Sequence, residues 1–164
     1  MQTEITIFTT IISGVTVFVL GQIFLKMVIE PVQNLKTTIS KVAHCLTNDY
    51  IVLMNADVLS KKESQETYKK LRNLGAQLYA DLHVVPLYHF FRNIFGLPSF
   101  NNLVEASDKL FGISNKMYSK QAAKYDYLDL YYLQICKNLR IHVPEKMQLS
   151  EAELKDSIKQ LRGL

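Results

Sequence analysis

An all-α protein, with a single N-terminal transmembrane helix followed by a compact helical cytoplasmic domain, is predicted by three features of this 164-residue sequence. The stretch ITIFTTIISGVTVFVLGQIFL, Ile5 to Leu25, carries no charged side chain. Behind it, apolar residues recur at alternating intervals of three and four, the spacing that gathers them on one face of an α-helix. Two capping boxes, Ser60-Lys61-Lys62-Glu63 and Ser150-Glu151-Ala152-Glu153, mark helix starts, because the serine bonds an early amide while the glutamate reaches back to the serine's own N–H.

The first stretch is long enough to cross a bilayer. At about 1.5 Å per residue its helix reaches about 30 Å, the hydrocarbon thickness. Its flank Met1-Gln2-Thr3-Glu4 lacks the positive start of a cleavable signal, and no small-residue cleavage site follows, so a retained anchor over residues 1–29 is expected. Lys26, Lys36 and Lys41 lie behind it and Glu4 in front. The positive-inside rule then puts the N-terminus outside and residues 30–164 in the cytoplasm. Cys45 and Cys136, without paired spacing, suit a reducing compartment.

Stepping around this helix by 100° per residue collects Thr6, Thr9, Thr10, Ser13, Gly14, Thr16 and Gly21 on one half. Bulky Ile7, Phe8, Ile11, Ile12, Val15, Phe18, Val19 and Ile23 occupy the other, broken by Gln22. Small and hydroxylated residues let helix backbones approach closely, so the first face is a candidate for self-association, and pore lining is a narrower form of the same idea. The alternative is that each hydroxyl bonds its own backbone and the face meets only lipid.

After the span, Glu30-Pro31 predicts a kink or restart, since proline disfavours a helical residue before it yet fits a first turn. Val32, Leu35, Ile39, Val42 and Leu46 then mark a second helix, and Tyr50 to Met54 is an apolar run too short to classify. From Ser60 a third helix carries Leu71, Leu74, Leu78, Leu82 and Val85 on its buried face before Pro86 interrupts. Lys61, Lys62, Lys69, Lys70 and Arg72 make its first half basic: a candidate contact for a regulator or for lipid headgroups, or else a solvated face, as the interleaved Glu63 and Glu66 suggest.

VVPLYHFFRNIFGLPSF, Val84 to Phe100, is the most aromatic block. Core packing is its expected role; contact with the membrane interface and entry into the membrane are the alternatives, the last opposed by Arg92, His89 with His83 just before the block, and two prolines. Ser99 caps a further helix with Leu103, Ala106, Leu110 and Phe111, and Gly112 is its expected stop. A long helix is expected from about Ser119 to Leu139, with Tyr125, Leu128, Tyr132, Ile135 and Leu139 on one face. Pro144 separates it from a last short helix buried through Leu154, Ile158 and Leu161.

Chemistry is sparse. His44, His83, His89 and His142 share no metal-ligand spacing, and no phosphate-cradling glycine loop or nucleophile elbow occurs. His44 and Cys45 are adjacent, but neighbouring helical positions point about 100° apart and cannot act directly as base and nucleophile. Asp126 and Asp129, a turn apart among tyrosines, form at most a weak cation site. An enzyme would need His83, His89 and Asp81 brought together around a pocket. No enzymatic activity and no cofactor are expected. The net charge of +4 suits anionic headgroups or nucleic acid without requiring either.

Leu20-Gly21-Gln22, Glu30-Pro31, Leu78, Pro86, Tyr88, Gly96-Leu97 and Leu110-Phe111-Gly112-Ile113-Ser114-Asn115, in that order, resemble a group of short bacterial membrane proteins that includes the transmembrane effectors encoded beside the reverse transcriptase in retron anti-phage systems. The resemblance covers about Leu20 to Asn115. It implies a protein of the bacterial inner membrane, held inactive by the reverse transcriptase and its RNA–DNA product, that kills or arrests the infected cell on release. It supplies no catalytic residues to carry over. The competing expectation is a membrane-tethered scaffold or adaptor without toxic activity.

Overall fold

A computed structural model describes residues 2–49, 61–119 and 128–142, with the side chains of 61–64, 116–119 and 129 outside that set. Among the described residues the secondary structure is entirely helical: α1 (Gln2–Phe24), α2 (Glu30–Asn48), α3 (Lys61–Val84), α4 (Tyr88–Phe95), α5 (Phe100–Ser119) and α6 (Leu128–Leu139). Tyr50 to Met54, Ser60 of the first capping box, Tyr125, Asp126, Pro144 and the expected C-terminal helix lie outside the described residues.

At Glu30-Pro31 the α-helical pattern restarts, with Pro31 in the first turn of α2, but the chain does not leave the helix. α1 and α2 join through a single π-helical turn, Leu25–Ile29, in which Glu30 N–H bonds Leu25 O, and the result is one uninterrupted helix from Gln2 to Asn48. The cause is local. Pro31 has no N–H for the carbonyl four residues back, at Met27, and its ring presses on that carbonyl. A turn with one extra residue relieves the pressure without ending the helix. At 47 residues the rod is about 70 Å long.

Its two halves have different surroundings. No residue of α1 is buried, whereas burial begins at Val28 and continues through Pro31, Val32, Leu35, Thr38, Val42, Cys45 and Leu46. This stripe packs on α3, whose Leu71, Leu74, Leu78 and Leu82 are buried as their spacing predicts, as is Val85 just beyond its end. α5 covers the other side of α3 with Leu103, Ala106, Leu110 and Ile113. α6 lies against α5 and touches α2, burying Leu128, Tyr132, Ile135 and Leu139. α3 is thus the central helix of a small bundle, and the rod's second half is one of the bundle's walls.

Hydrogen bonds tie the walls to the centre. Thr38 Oγ1 donates to Asp81 Oδ2 at 2.6 Å, joining α2 to α3, and buried Ser107 Oγ donates to Gly75 O at 2.9 Å, joining α5 to α3. Glycine at 75 suits this approach: a Cβ there would stand 3.3 Å from Leu110 Cβ and 3.4 Å from Ser107 O, tight enough that the neighbours would have to give slightly. The α5 cap is as expected, with Asn102 N–H donating to Ser99 Oγ at 3.1 Å.

Gly112 does not stop α5, which runs on to Ser119. Its lack of a side chain serves packing: a Cβ at 112 would lie 3.1 Å from the Tyr131 ring, so α6 seats an aromatic side chain against bare α5 backbone. Glycine costs about 1 kcal/mol relative to alanine inside a helix, which the contact offsets. Gly96, by contrast, is a true helix stop. It caps α4 in the left-handed conformation at φ 66°, with Leu97 N–H closing on Arg92 O.

Candidate membrane-facing site

The residues expected to carry function fall into three places: the bare half of the rod, the outer face of α3, and the aromatic α4 region near the base of the bare half.

In α1, Thr6, Thr9, Thr10 and Thr16 each donate to the carbonyl four residues back, at 2.8–3.0 Å, and Ser13 Oγ lies 3.4 Å from Thr10 O. Every hydroxyl of the small face is therefore satisfied within its own helix, which leaves the Gln22 amide as the polar side chain of the Ile5 to Leu25 stretch without such a bond. Gly14 and Gly21 differ from Gly75 and Gly112, because a Cβ at either would meet nothing within 4 Å. Packing among the described residues gives no reason for glycine at either position.

The basic face of α3 is less uniform than its sequence suggests. Lys70 turns toward the end of α2 and pairs with Asp49 at 3.1 Å, while Arg72 Nη1 donates to Asn115 Oδ1 of α5 at 3.2 Å. Lys69 is exposed. Lys61 and Lys62 open the helix, and their side chains are outside the described set.

Asp49 sits at the C-terminal end of α2, where a negative charge opposes the helix dipole. Burial pushes its carboxyl up, but hydrogen bonds from Asn48, Lys70 and Cys45 outweigh that and hold it below the ordinary carboxylate range. Because the folded value is depressed, the stabilisation is present above about pH 4 and is lost as pH falls through and below it. Lys70 is raised, chiefly by its bond to Asp49, so its side of the pair weakens only in strong alkali. Lys70 is about half exposed and water screens the pair, which limits its worth to about 1 kcal/mol. Asp49→Asn is expected to lower the melting temperature at pH 7 and to flatten its decline in acid. A variant that melts with the wild-type acid profile would remove this pair from the account.

Both cysteines are buried and free. Burial, reinforced by Asp49, pushes the Cys45 thiol up to about 12, and burial pushes Cys136 up to about 11, so both are protonated at neutral pH and neither is a nucleophile. His44 is exposed while Cys45 points inward, as their adjacent helical positions require. The groups an enzyme would need are engaged separately. Asp81 accepts from Thr38, His83 Nδ1 lies 2.8 Å from Tyr79 O with its ring against Tyr79 and Phe100, and the His89 ring stands edge-on to Tyr88. Among the described residues no group of His, Cys, Asp and Glu is placed to hold a metal ion.

The aromatic block divides between two environments. Val85, Tyr88, Phe91 and Leu97 are buried, and Tyr88 donates its hydroxyl to Pro98 O at 2.8 Å. Desolvation pushes that phenol up to about 12, so it remains a donor at any physiological pH. Val84, Leu87, Phe90 and Ile94 face outward. The Phe24 ring, last residue of α1, packs edge-on against Phe91 with centroids 6.3 Å apart, which sets α4 beside the rod where its bare half ends.

Of the positions on which the sequence resemblance was drawn, Leu20, Gly21, Gln22 and Glu30 are exposed, and several of the others contribute to the helical framework. Pro31 is accommodated by the widened turn, Leu78, Leu97, Leu110, Ile113 and Ser114 are buried, Gly96 caps α4, Gly112 receives Tyr131, and Asn115 accepts from Arg72. Comparison of the chain with family models, with curated proteins and with solved structures returns no match.

Proposed function

We propose that this chain is a single-pass membrane effector of a bacterial, retron-type anti-phage system, which perturbs the inner membrane and causes abortive infection when its regulator lets go. The observation that carries the membrane reading is the bare half of the rod: an apolar helix of bilayer length projects from the bundle with no residue buried. Thirteen Ile, Leu, Val and Phe residues between Ile5 and Leu25 favour insertion by about 0.3–0.6 kcal/mol each. Lys26, Lys36 and Lys41 orient the bundle to the cytoplasm. The reverse transcriptase and its RNA–DNA product are the regulator in this reading, and the outer face of α3, with Lys69 and Arg72, offers cationic groups to nucleic-acid phosphates.

Self-association through Thr6, Thr9, Thr10, Ser13, Gly14, Thr16 and Gly21 is the disruptive step, supported by glycines that the chain's own packing does not use. Expression without the regulator then depolarises cells, read with a voltage-sensitive dye. Gly14→Leu, which blocks close approach, brings the signal down to that of cells lacking the protein. Depolarisation unchanged by Gly14→Leu would take the small face out of the mechanism.

A tether without toxicity is the second reading, favoured by the hydroxyls that bond their own carbonyls and so need no partner helix. Replacing Ile5 to Leu25 with a polyleucine span separates the two. A tether keeps its function after the exchange, and an effector that works through its span loses it.

A further inference from the structure

We infer that the α4 region is a second, interfacial membrane contact, laying Val84, Leu87, Phe90 and Ile94 into the headgroup and upper acyl region of an anionic bilayer beside the base of the span. The inference rests on the membrane reading of α1 and specifies what the bundle does at that membrane.

Four observations converge on it. The first is exposure: Val84 is 63%, Leu87 75%, Phe90 62% and Ile94 60% exposed, although the block's other apolar residues reach the core. Phe90 and Ile94, four residues apart, fall on one side of α4, and exposed Leu87 and Val84 precede its first turn, so the exposed groups are clustered in one short segment. Contiguous apolar surface of this kind marks a docking face, whereas isolated exposed residues would not.

The second is depth. Phe91, next to Phe90 and in ring contact with it at 5.1 Å, packs on Phe24, and the uncharged stretch ends one residue later, at Leu25. Lys26 follows. The patch therefore lies at the level where hydrocarbon gives way to headgroups, the depth at which aromatic side chains are favoured.

The third is charge. From Leu82 to Val104 the sequence has no aspartate or glutamate, while it carries Arg92, His83 and His89. A segment that is apolar on one side and free of anions approaches an acidic lipid surface without repulsion.

The fourth is conformation. Leu87 is held at φ 43°, a left-handed backbone that glycine or asparagine adopts at less cost. The Leu87 carbonyl opens α4 by accepting from Phe90 and Phe91 N–H, and this turn leaves a large apolar side chain uncovered among the described residues, where it is available to lipid.

Because the sequence contains no tryptophan, single tryptophans report depth without background. The full chain is reconstituted in vesicles of phosphatidylcholine and phosphatidylglycerol, with bromine carried on the acyl chains as quencher. Three exposed positions are compared: Phe90→Trp in the patch, Val17→Trp in the span, and His44→Trp on α2, twenty residues and about 30 Å along the rod from Phe24. Phe90→Trp is expected to emit at short wavelength and to lose most of its emission to bromine placed near the headgroup end of the acyl chain. Val17→Trp loses most of its emission to bromine near the bilayer centre, and His44→Trp is unaffected by either. Quenching of Val17→Trp without Phe90→Trp overturns the interfacial contact and leaves the span standing; quenching of neither overturns both. Short-wavelength emission from Phe90→Trp without quenching also overturns it, because the patch is then covered by protein, either a second copy or another part of this chain.

Discussion

Gly75→Leu melts the helical bundle about 10–20 °C lower than wild type, followed by circular dichroism in detergent micelles. α3 and α5 approach closest at Gly75, where even a Cβ would meet Leu110 Cβ, Phe111 Cε1 and Ser107 O at 3.3–3.4 Å. Alanine fits if those neighbours yield a few tenths of an ångström. A leucine forces the helices apart. Overpacking costs about 1–3 kcal/mol, and separation also breaks the buried Ser107 bond to Gly75 O, worth about 1 kcal/mol more. A total near 3 kcal/mol is a large part of the 5–15 kcal/mol that holds a typical domain together. Gly14→Ala is the control: it meets nothing, and should leave the bundle's melting unchanged. Equal melting of Gly75→Leu and wild type would mean that α3 and α5 are further apart than described.

Val15→Arg with Val17→Arg removes the protein from the membrane fraction that resists alkaline extraction. The thirteen apolar residues of the span favour insertion by about 4–8 kcal/mol in sum, before its polar residues subtract from that. Two arginines near the centre cost about 5–7 kcal/mol on the same scale, enough to cancel the preference. Because no residue of α1 is buried, the bundle loses no packing in this variant and keeps its melting transition. A double variant that still resists extraction would show that α1 is not what holds the chain in the membrane.

Much of this architecture is legible in the sequence because its causes are local. Leu71, Leu74, Leu78 and Leu82 recur at helical spacing, and all four are buried. Ser99 signals a helix start and caps one. Gly112 misleads because it is a helix breaker by propensity yet is retained inside a helix by the ring of Tyr131, from a different helix. Pro31 signals a restart and sits in the first turn of α2, but spacing does not show that one π-helical turn keeps the helix continuous. Propensity is a preference of about 1 kcal/mol for glycine, within the range that a single tertiary contact overrides.

The candidate site was legible to a lesser extent. The small face of α1 follows from spacing alone. In the basic half of α3, the Lys70 pairing with Asp49 and the Arg72 bond to Asn115 could not be read from spacing, since both partners are distant in sequence. The aromatic block from Val84 to Phe100 was ambiguous because almost every residue in it is apolar. No spacing pattern can say which side of a helix is covered when both sides are hydrophobic.

By itself, the sequence determined that the chain is helical, where most of its helices lie, which residues of α2, α3 and α5 face inward, and that Ile5 to Leu25 is long and apolar enough to span a bilayer. These follow from periodicity, capping and length, which act over a few turns of one helix. Tertiary structure alone decided that the span and α2 are one rod, that Gly75 and Gly112 are points of close contact, and that Phe24 meets Phe91. It also decided that Val84, Leu87, Phe90 and Ile94 are left uncovered. Burial is a relation between surfaces, and the surface that covers or exposes a side chain is contributed by residues far away along the chain.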